Sequence, residues 1–185
     1  MTLARVLIVV DMQEKAPFLR MTTEKRGSFR YIVMDRIAAL GPDDEVVYVI
    51  MERGSRLSGP ISVQQAQDPV LFKQPLLTCF DGSPPVDNVY VKRAWDGAKN
   101  ESLVRHLEGL SEGCGIRIFE LVGAYGECCV ASTLNGLRAR FPHVAIEVNE
   151  RCTKFLSEYY LGKQGGRRLG SCILHARTRK TRHVP

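Results

Sequence analysis

Three residues with complementary chemistry, Asp11, Lys92 and Cys129, each follow a separate apolar run. Asp11 closes RVLIVV (residues 5–10), Lys92 closes NVYVK (residues 88–92), and Cys129 comes one short turn after IRIFELVG (residues 116–123). A thiol attacks as its thiolate. A carboxylate within reach takes the thiol proton and later returns it to a leaving group. An ammonium orients the pair and favours thiolate. A cysteine at a helix start also lies near the positive end of the helix dipole, and backbone N–H groups in the preceding turn suit a developing oxyanion. Taken singly, each residue has a plainer role: Asp11 as a turn cap, Lys92 as a solvated charge, Cys129 as a packed small hydrophobe. Their convergence at one sheet edge points to catalysis.

Cys129 has a neighbour, Cys128, in ELVGAYGECCV (residues 120–130). Adjacent cysteines strain a disulfide and do not suffice as a tetrahedral metal site. The pair therefore reads as two buried small side chains, as one nucleophile beside a bystander, or as a redox pair. The chain has six cysteines in 185 residues and no C-x-x-C, so neither a disulfide scaffold nor a zinc ribbon is expected.

The elements that must position these residues follow from patterning. RVLIVV and EVVYVI (residues 45–50) are continuous apolar runs suited to strands buried on both faces. SFRYIVMDRIAAL (28–40) has helical spacing and stops at Gly41-Pro42; NESLVRHLEGL (100–110) is a second helix. CCVASTLNGLRAR (128–140) is a third helix, with Val130, Leu134 and Leu137 on one face. HVAIEV (143–148) is a fifth strand and CILHA (172–176) a short sixth candidate. Strands alternating with helices predict a mainly parallel sheet of five or six strands with helices on both faces, a three-layer α/β domain. Ligands in such sheets bind beyond the carboxyl ends of the strands. The Gly- and Pro-rich stretch from Arg53 to Asn88 reads as a functional loop or lid.

Here the sequence resembles a family. LIVVDMQ is similar to the opening motif of the isochorismatase-like cysteine hydrolases, which include nicotinamidases and N-carbamoylsarcosine amidohydrolases. VYVKRAWDGAKNESL resembles their lysine segment, and LVGAYGECCVASTLNGLRAR their nucleophile segment. In that segment a glycine, here Gly123, precedes the Cys-Val pair by six residues, which selects Cys129 as nucleophile. The resemblance implies one hydrolase domain over residues 1–176, a catalytic triad of Asp11, Lys92 and Cys129, and cleavage of a C–N bond in a small amide or carbamoyl compound through a thioester. It also implies a cis peptide at Ala124–Tyr125, oxyanion donors at the Tyr125 and Cys129 amides, and a homo-oligomer, dimer or tetramer. The alternative is a protein that kept the fold but serves as a binding or assembly module.

The sequence departs from the family in places. Gly126 stands where Thr is usual, Glu127 where Asp is frequent, and Gly97-Ala98 where a small-aromatic pair is usual. Nicotinamidases carry Asp and His metal ligands after the second strand; this chain has MERGSRLSGP there, with no histidine. No metal and no cofactor are therefore expected, which disfavours nicotinamidase activity. Specificity would come from the 53–88 loop, with Gln13 and Trp95 as candidate substrate-binding residues. Trp95 reads equally as a pocket wall or as a partly buried surface aromatic.

The formal net charge is +6, and part of that excess sits in a basic tail, residues 177–185. No recognition motif or interleaved aromatics accompany the tail, which argues against nucleic acid as a partner. The N-terminal apolar run is too short to span a membrane and lacks a cleavage site. The expected setting is cytoplasmic, with free thiols.

Overall fold

A computed structural model describes residues 4–13, 23–52, 55–57, 59–73, 76 and 88–155. Five strands form one sheet: β1 (Arg5–Val10), β2 (Glu45–Met51), β3 (Val89–Lys92), β4 (Ile118–Ala124) and β5 (Ala145–Lys154). Their order is β3-β2-β1-β4-β5, and every pairing is parallel. The chain walks outward from β1 to β3, then returns to β1's other side with β4. The reversal places the topological switch point between β1 and β4, where open α/β sheets bind ligands.

Side-chain alternation splits the core into two layers. On one face Val6, Ile8, Val10, Val49, Tyr90 and Phe119 pack against α3 (Glu101–Gly113) and α4 (Ala131–Arg140) through Leu103, Leu107, Leu134 and Leu137. On the other, Leu7, Val9, Ile50, Val91 and Val122 pack against Phe29 and Val33 of α1 (Thr23–Ala38). The three-layer architecture matches the sequence-based expectation. The candidate strand at residues 172–176 and the basic tail lie outside the described residues. No helix among the described residues is long and apolar enough to cross a membrane.

Much of the stretch read as a lid is anchored. Its short helix α2 (Val63–Ala66) begins with a capping box between Ser62 and Gln65. Ile61 forms an antiparallel bridge to Val89, and Leu76 one to Gln13. Ile61, Ala66, Phe72 and Leu76 are buried in the α1-side core. A cis Gly59–Pro60 bond leads into this segment. Gly59 lies so close to β3 that a Cβ there would stand 2.5 Å from Val89 O.

Away from the carboxyl edge, buried Glu120 of β4 gathers side chains from β1, α1 and β5. Its Oε1 accepts from Arg36 Nε at 2.8 Å and Asn149 Nδ2 at 2.8 Å. Its Oε2 accepts from Arg36 Nη2 at 2.5 Å and Arg5 Nη1 at 3.1 Å. Burial opposes ionisation of this carboxyl, but these donors outweigh it and hold the pKa down at about 2.

Candidate active site

The structure brings Asp11, Lys92 and Cys129 together at the carboxyl edge. Asp11 leaves β1 and Cys129 follows β4, so the two flank the switch point. Lys92 ends β3, on the α3 and α4 side of the sheet by alternation with Tyr90, and reaches past β2 to Asp11. Lys92 Nζ lies 2.8 Å from Asp11 Oδ2, with both side chains almost wholly buried. Oδ2 is thus charge-paired, yet neither carboxylate oxygen sits in an aligned hydrogen bond. Lys92 Nζ also donates to Trp95 O at 3.0 Å, which fixes the ammonium from its far side.

Asp11 and Tyr125 are the two non-glycine residues with positive φ among the described residues, at 50° and 62°. Each ends one of the two strands at the switch point. Such backbone costs on the order of 1–3 kcal/mol per residue and persists where the surrounding fold imposes it. The fold does so here through close approach: a Cβ on Gly123 would lie 2.1 Å from Val10 O, so β4 must carry glycine beside the end of β1.

The implied cis peptide at Ala124–Tyr125 is corrected by the structure, whose cis bond among the described residues is Gly59–Pro60. The chain instead turns out of β4 through the left-handed conformation of Tyr125 (φ 62°, ψ 56°). The helix expected from residue 128 also begins differently. Gly126–Val130 form a π-helical turn that runs into α4, with Cys128 N and Val130 N both donating to Tyr125 O at 2.9 and 3.2 Å. Such turns recur at functional sites.

Cys129 is 4% exposed and packs in the core beside Val130. Its thiol interacts with both Asp11 and Lys92. Burial, followed by the Asp11 charge, pushes the thiol pKa up to about 12, against the opposing pull of Lys92. The pull toward thiolate expected from Lys92 is present, but burial and the Asp11 charge outweigh it. Burial likewise raises the Asp11 carboxyl above its ordinary value, with Lys92, Cys129 and the Met51 backbone acting the other way.

The lysine segment is held by residues that the triad reading did not single out. Buried Asn100 caps α3 by accepting from Ser102 N and Leu103 N, and donates Nδ2 to Val91 O at 3.0 Å. An Asn directly before a helical run is an N-cap signal, and it marks this residue in the sequence. Thr133 of α4 accepts from Gly97 N at 2.9 Å, and a Cβ at Gly136 would stand 2.5 Å from Asp96 Oδ1. Gly97 is itself crowded by Thr133 and Val49, each 3.1–3.2 Å from a built Cβ. These contacts explain the glycine at 97, and the 2.7 Å from Ala98 Cβ to a Cβ built at Gly136 explains the small residue at 98.

The two candidate substrate-binding residues sit differently. The Trp95 side chain is 53% exposed, while its backbone carbonyl serves Lys92. Gln13 is 2% exposed, and its amide faces β2: Nε2 donates to Met51 O at 3.0 Å, and Oε1 accepts from Met51 N at 2.8 Å. Beyond β2, Glu52 Oε2 accepts from Lys73 N at 3.1 Å. No cluster of three or more His, Cys, Asp or Glu with metal-binding geometry occurs among the described residues.

No family model matches the sequence, and no curated protein does. Solved structures do match. An isochorismatase-like hydrolase from Alkaliphilus metalliredigens is 14% identical with a TM-score of 0.56, over 87% of each chain. An isochorismatase from Pseudomonas putida KT2440 is 19% identical with a TM-score of 0.52, over 80% of this chain and 70% of that one. An octameric hydrolase of unknown specificity from Escherichia coli is 14% identical with a TM-score of 0.52, over 86% of this chain and 68% of that one. At such identities the likeness is one of architecture, and that architecture agrees with the motifs: the chain has the isochorismatase-like hydrolase fold.

Proposed function

We propose that the protein is a metal-independent cysteine hydrolase that cleaves a C–N bond in a small amide or carbamoyl compound. One observation carries the reading: a buried carboxylate, Asp11, interacts with both the Lys92 ammonium and the Cys129 thiol. Releasing the thiol proton to solvent would leave the buried site with an extra negative charge. Passing it to Asp11 leaves the net charge unchanged, because the carboxylate is neutralised as the thiolate forms, with Lys92 beside both. The high resting pKa of Cys129 therefore opposes loss of the proton to water far more than transfer within the pair.

In the proposed reaction Asp11 takes the Cys129 proton as sulfur bonds to the substrate carbonyl carbon. The carbonyl oxygen becomes an oxyanion facing backbone N–H groups of the nucleophile turn, with Tyr125 and Cys129 as the proposed donors. Collapse breaks the C–N bond, and the leaving nitrogen takes the proton from Asp11. A water then gives its proton to Asp11 and attacks the thioester, releasing the acid and restoring the thiol. Lys92 holds Asp11 in place throughout. The deep burial of Cys129 favours a second reading, a binding or assembly module on the same fold. A screen of small amides and ureas, read by ammonia release and by a mass increase on the Cys129 peptide under acid quench, separates the two. Ammonia release that vanishes in Cys129→Ser supports the hydrolase; neither release nor adduct across the panel supports the module.

A further inference from the structure

The Gln13 amide acts as a short piece of extra strand. It pairs with both backbone polar groups of Met51, at 3.0 and 2.8 Å, while Gln13 N donates to Asp11 O at 2.9 Å and Asp11 N to Val49 O at 2.8 Å. Two residues after Asp11, Gln13 thus ties the strained end of β1 to the end of β2. The Met51 amide has a second acceptor nearby, since it also interacts with the Asp11 carboxylate. Its N–H points to Gln13 Oε1, and the Asp11 oxygens receive no aligned donor.

We propose that Gln13 is a positioning residue for proton transfer: by aligning the Met51 N–H on its own amide oxygen, it competes with the Asp11 carboxylate for that donor and leaves the carboxylate mainly to Lys92 and the Cys129 thiol. The inference rests on the proton-transfer reading above. The chemical reason is basicity. An N–H donated to a carboxylate stabilises its charged form. A carboxylate satisfied by Met51 would accept the thiol proton less readily, by on the order of tenfold for one such bond. Burial raises the Asp11 carboxyl and the Met51 backbone opposes it least of the neighbouring groups, which fits a donor shared with Gln13. Gln suits the task because its amide supplies both the acceptor for Met51 N and the donor for Met51 O, so neither strand end is left unpaired.

The test is the pH dependence of Cys129 alkylation by iodoacetamide, followed by peptide mapping, in the wild type, Gln13→Met and Gln13→Glu. Met keeps the length and removes the competing acceptor, so Met51 N–H is left to Asp11. The acid limb of the profile should then fall by about one pH unit, with a plateau about tenfold lower. Glu keeps an acceptor on Met51 N–H and adds negative charge, so its limb should stay or rise. A role limited to stability would move both variants the same way, and that result overturns the proposal, as does a Met profile within twofold of wild type. A wild-type profile with no acid limb would defeat the underlying proton-transfer reading instead, and the inference with it. NMR of the wild type decides without any variant. The through-hydrogen-bond coupling from Met51 nitrogen should reach the Gln13 side-chain carbonyl carbon; coupling to the Asp11 carboxyl carbon in its place overturns the proposal.

Discussion

The ring of Phe155 occupies the space where a side chain at residue 126 would stand: a Cβ built on Gly126 lies 2.4 Å from two of its ring carbons. The glycine that departs from the family pattern is thus matched by an aromatic arriving just after β5. Phe155 and Gly126 together set the packing over the turn that carries Cys129.

The first prediction follows from that contact. Gly126→Ala should destabilise the fold by about 1–3 kcal/mol, the ordinary cost of overpacking. Combining it with Phe155→Ala should recover part of that loss, because the clash is removed. Urea denaturation of the wild type, both single variants and the double variant measures the coupling. Strict additivity would show that the ring does not set the residue at 126.

The second prediction separates the adjacent cysteines. Cys129 shares its environment with Asp11 and Lys92, while Cys128 is partly exposed at the edge of the α3 and α4 core. On a substrate found by the screen, Cys129→Ser should lower kcat by several orders of magnitude, and Cys128→Ala should leave it within a few-fold. Because the Cys129 thiol is buried and its ionisation is opposed by that burial and by Asp11, its alkylation at pH 7 should be slower than that of exposed Cys114. Faster labelling of Cys129 would mean that its thiolate is already formed at rest.

The sheet was legible because β1 and β2 are unbroken apolar runs, and the meeting of Asp11, Lys92 and Cys129 because strand-end residues share one edge of a parallel sheet. The burial of Cys129 was legible only as the alternative to catalysis, a packed thiol at a helix start. That a π-helical turn sinks it beside Val130 while it still meets Asp11 and Lys92 was not. The Glu120 cluster was equally hidden. Its partners Arg5, Arg36 and Asn149 come from three separate elements, and no local spacing announces them. Gln13 was singled out, but as a candidate substrate-binding residue. That its amide substitutes for a strand depends on how far β2 runs beside it.

The third prediction concerns acid stability. Glu120 titrates at about 2 in the fold against an ordinary 4.5. The lowered value means that its contribution is complete above pH 4.5 and is lost as the pH falls toward 2. Glu120→Gln leaves Arg5 and Arg36 facing a neutral amide, which should cost about 3–5 kcal/mol at pH 7. It should also flatten that part of the stability profile. Denaturation midpoints between pH 2 and 6 test both effects, and an unchanged acid slope in the variant would place the titration elsewhere.

The last prediction turns on the cost of burying a charge pair for chemistry. Asp11 and Lys92 are almost fully buried and 2.8 Å apart. Removing either leaves an uncompensated buried charge, typically a loss of about 3–5 kcal/mol. Lys92→Met should therefore destabilise the protein strongly and drive Asp11 toward its neutral form, which no longer accepts the thiol proton. Asp11→Asn should destabilise it as well, through the stranded ammonium. The double variant Asp11→Asn/Lys92→Met removes both charges, and buried pairs replaced by neutral groups are often neutral to stability or better. It should be more stable than either single variant and as inactive as both. Thermal denaturation and ammonia release on the four proteins give the outcome. A double variant that loses the sum of the two single effects would mean that the charges do not compensate each other, and the shared site would have to be redrawn.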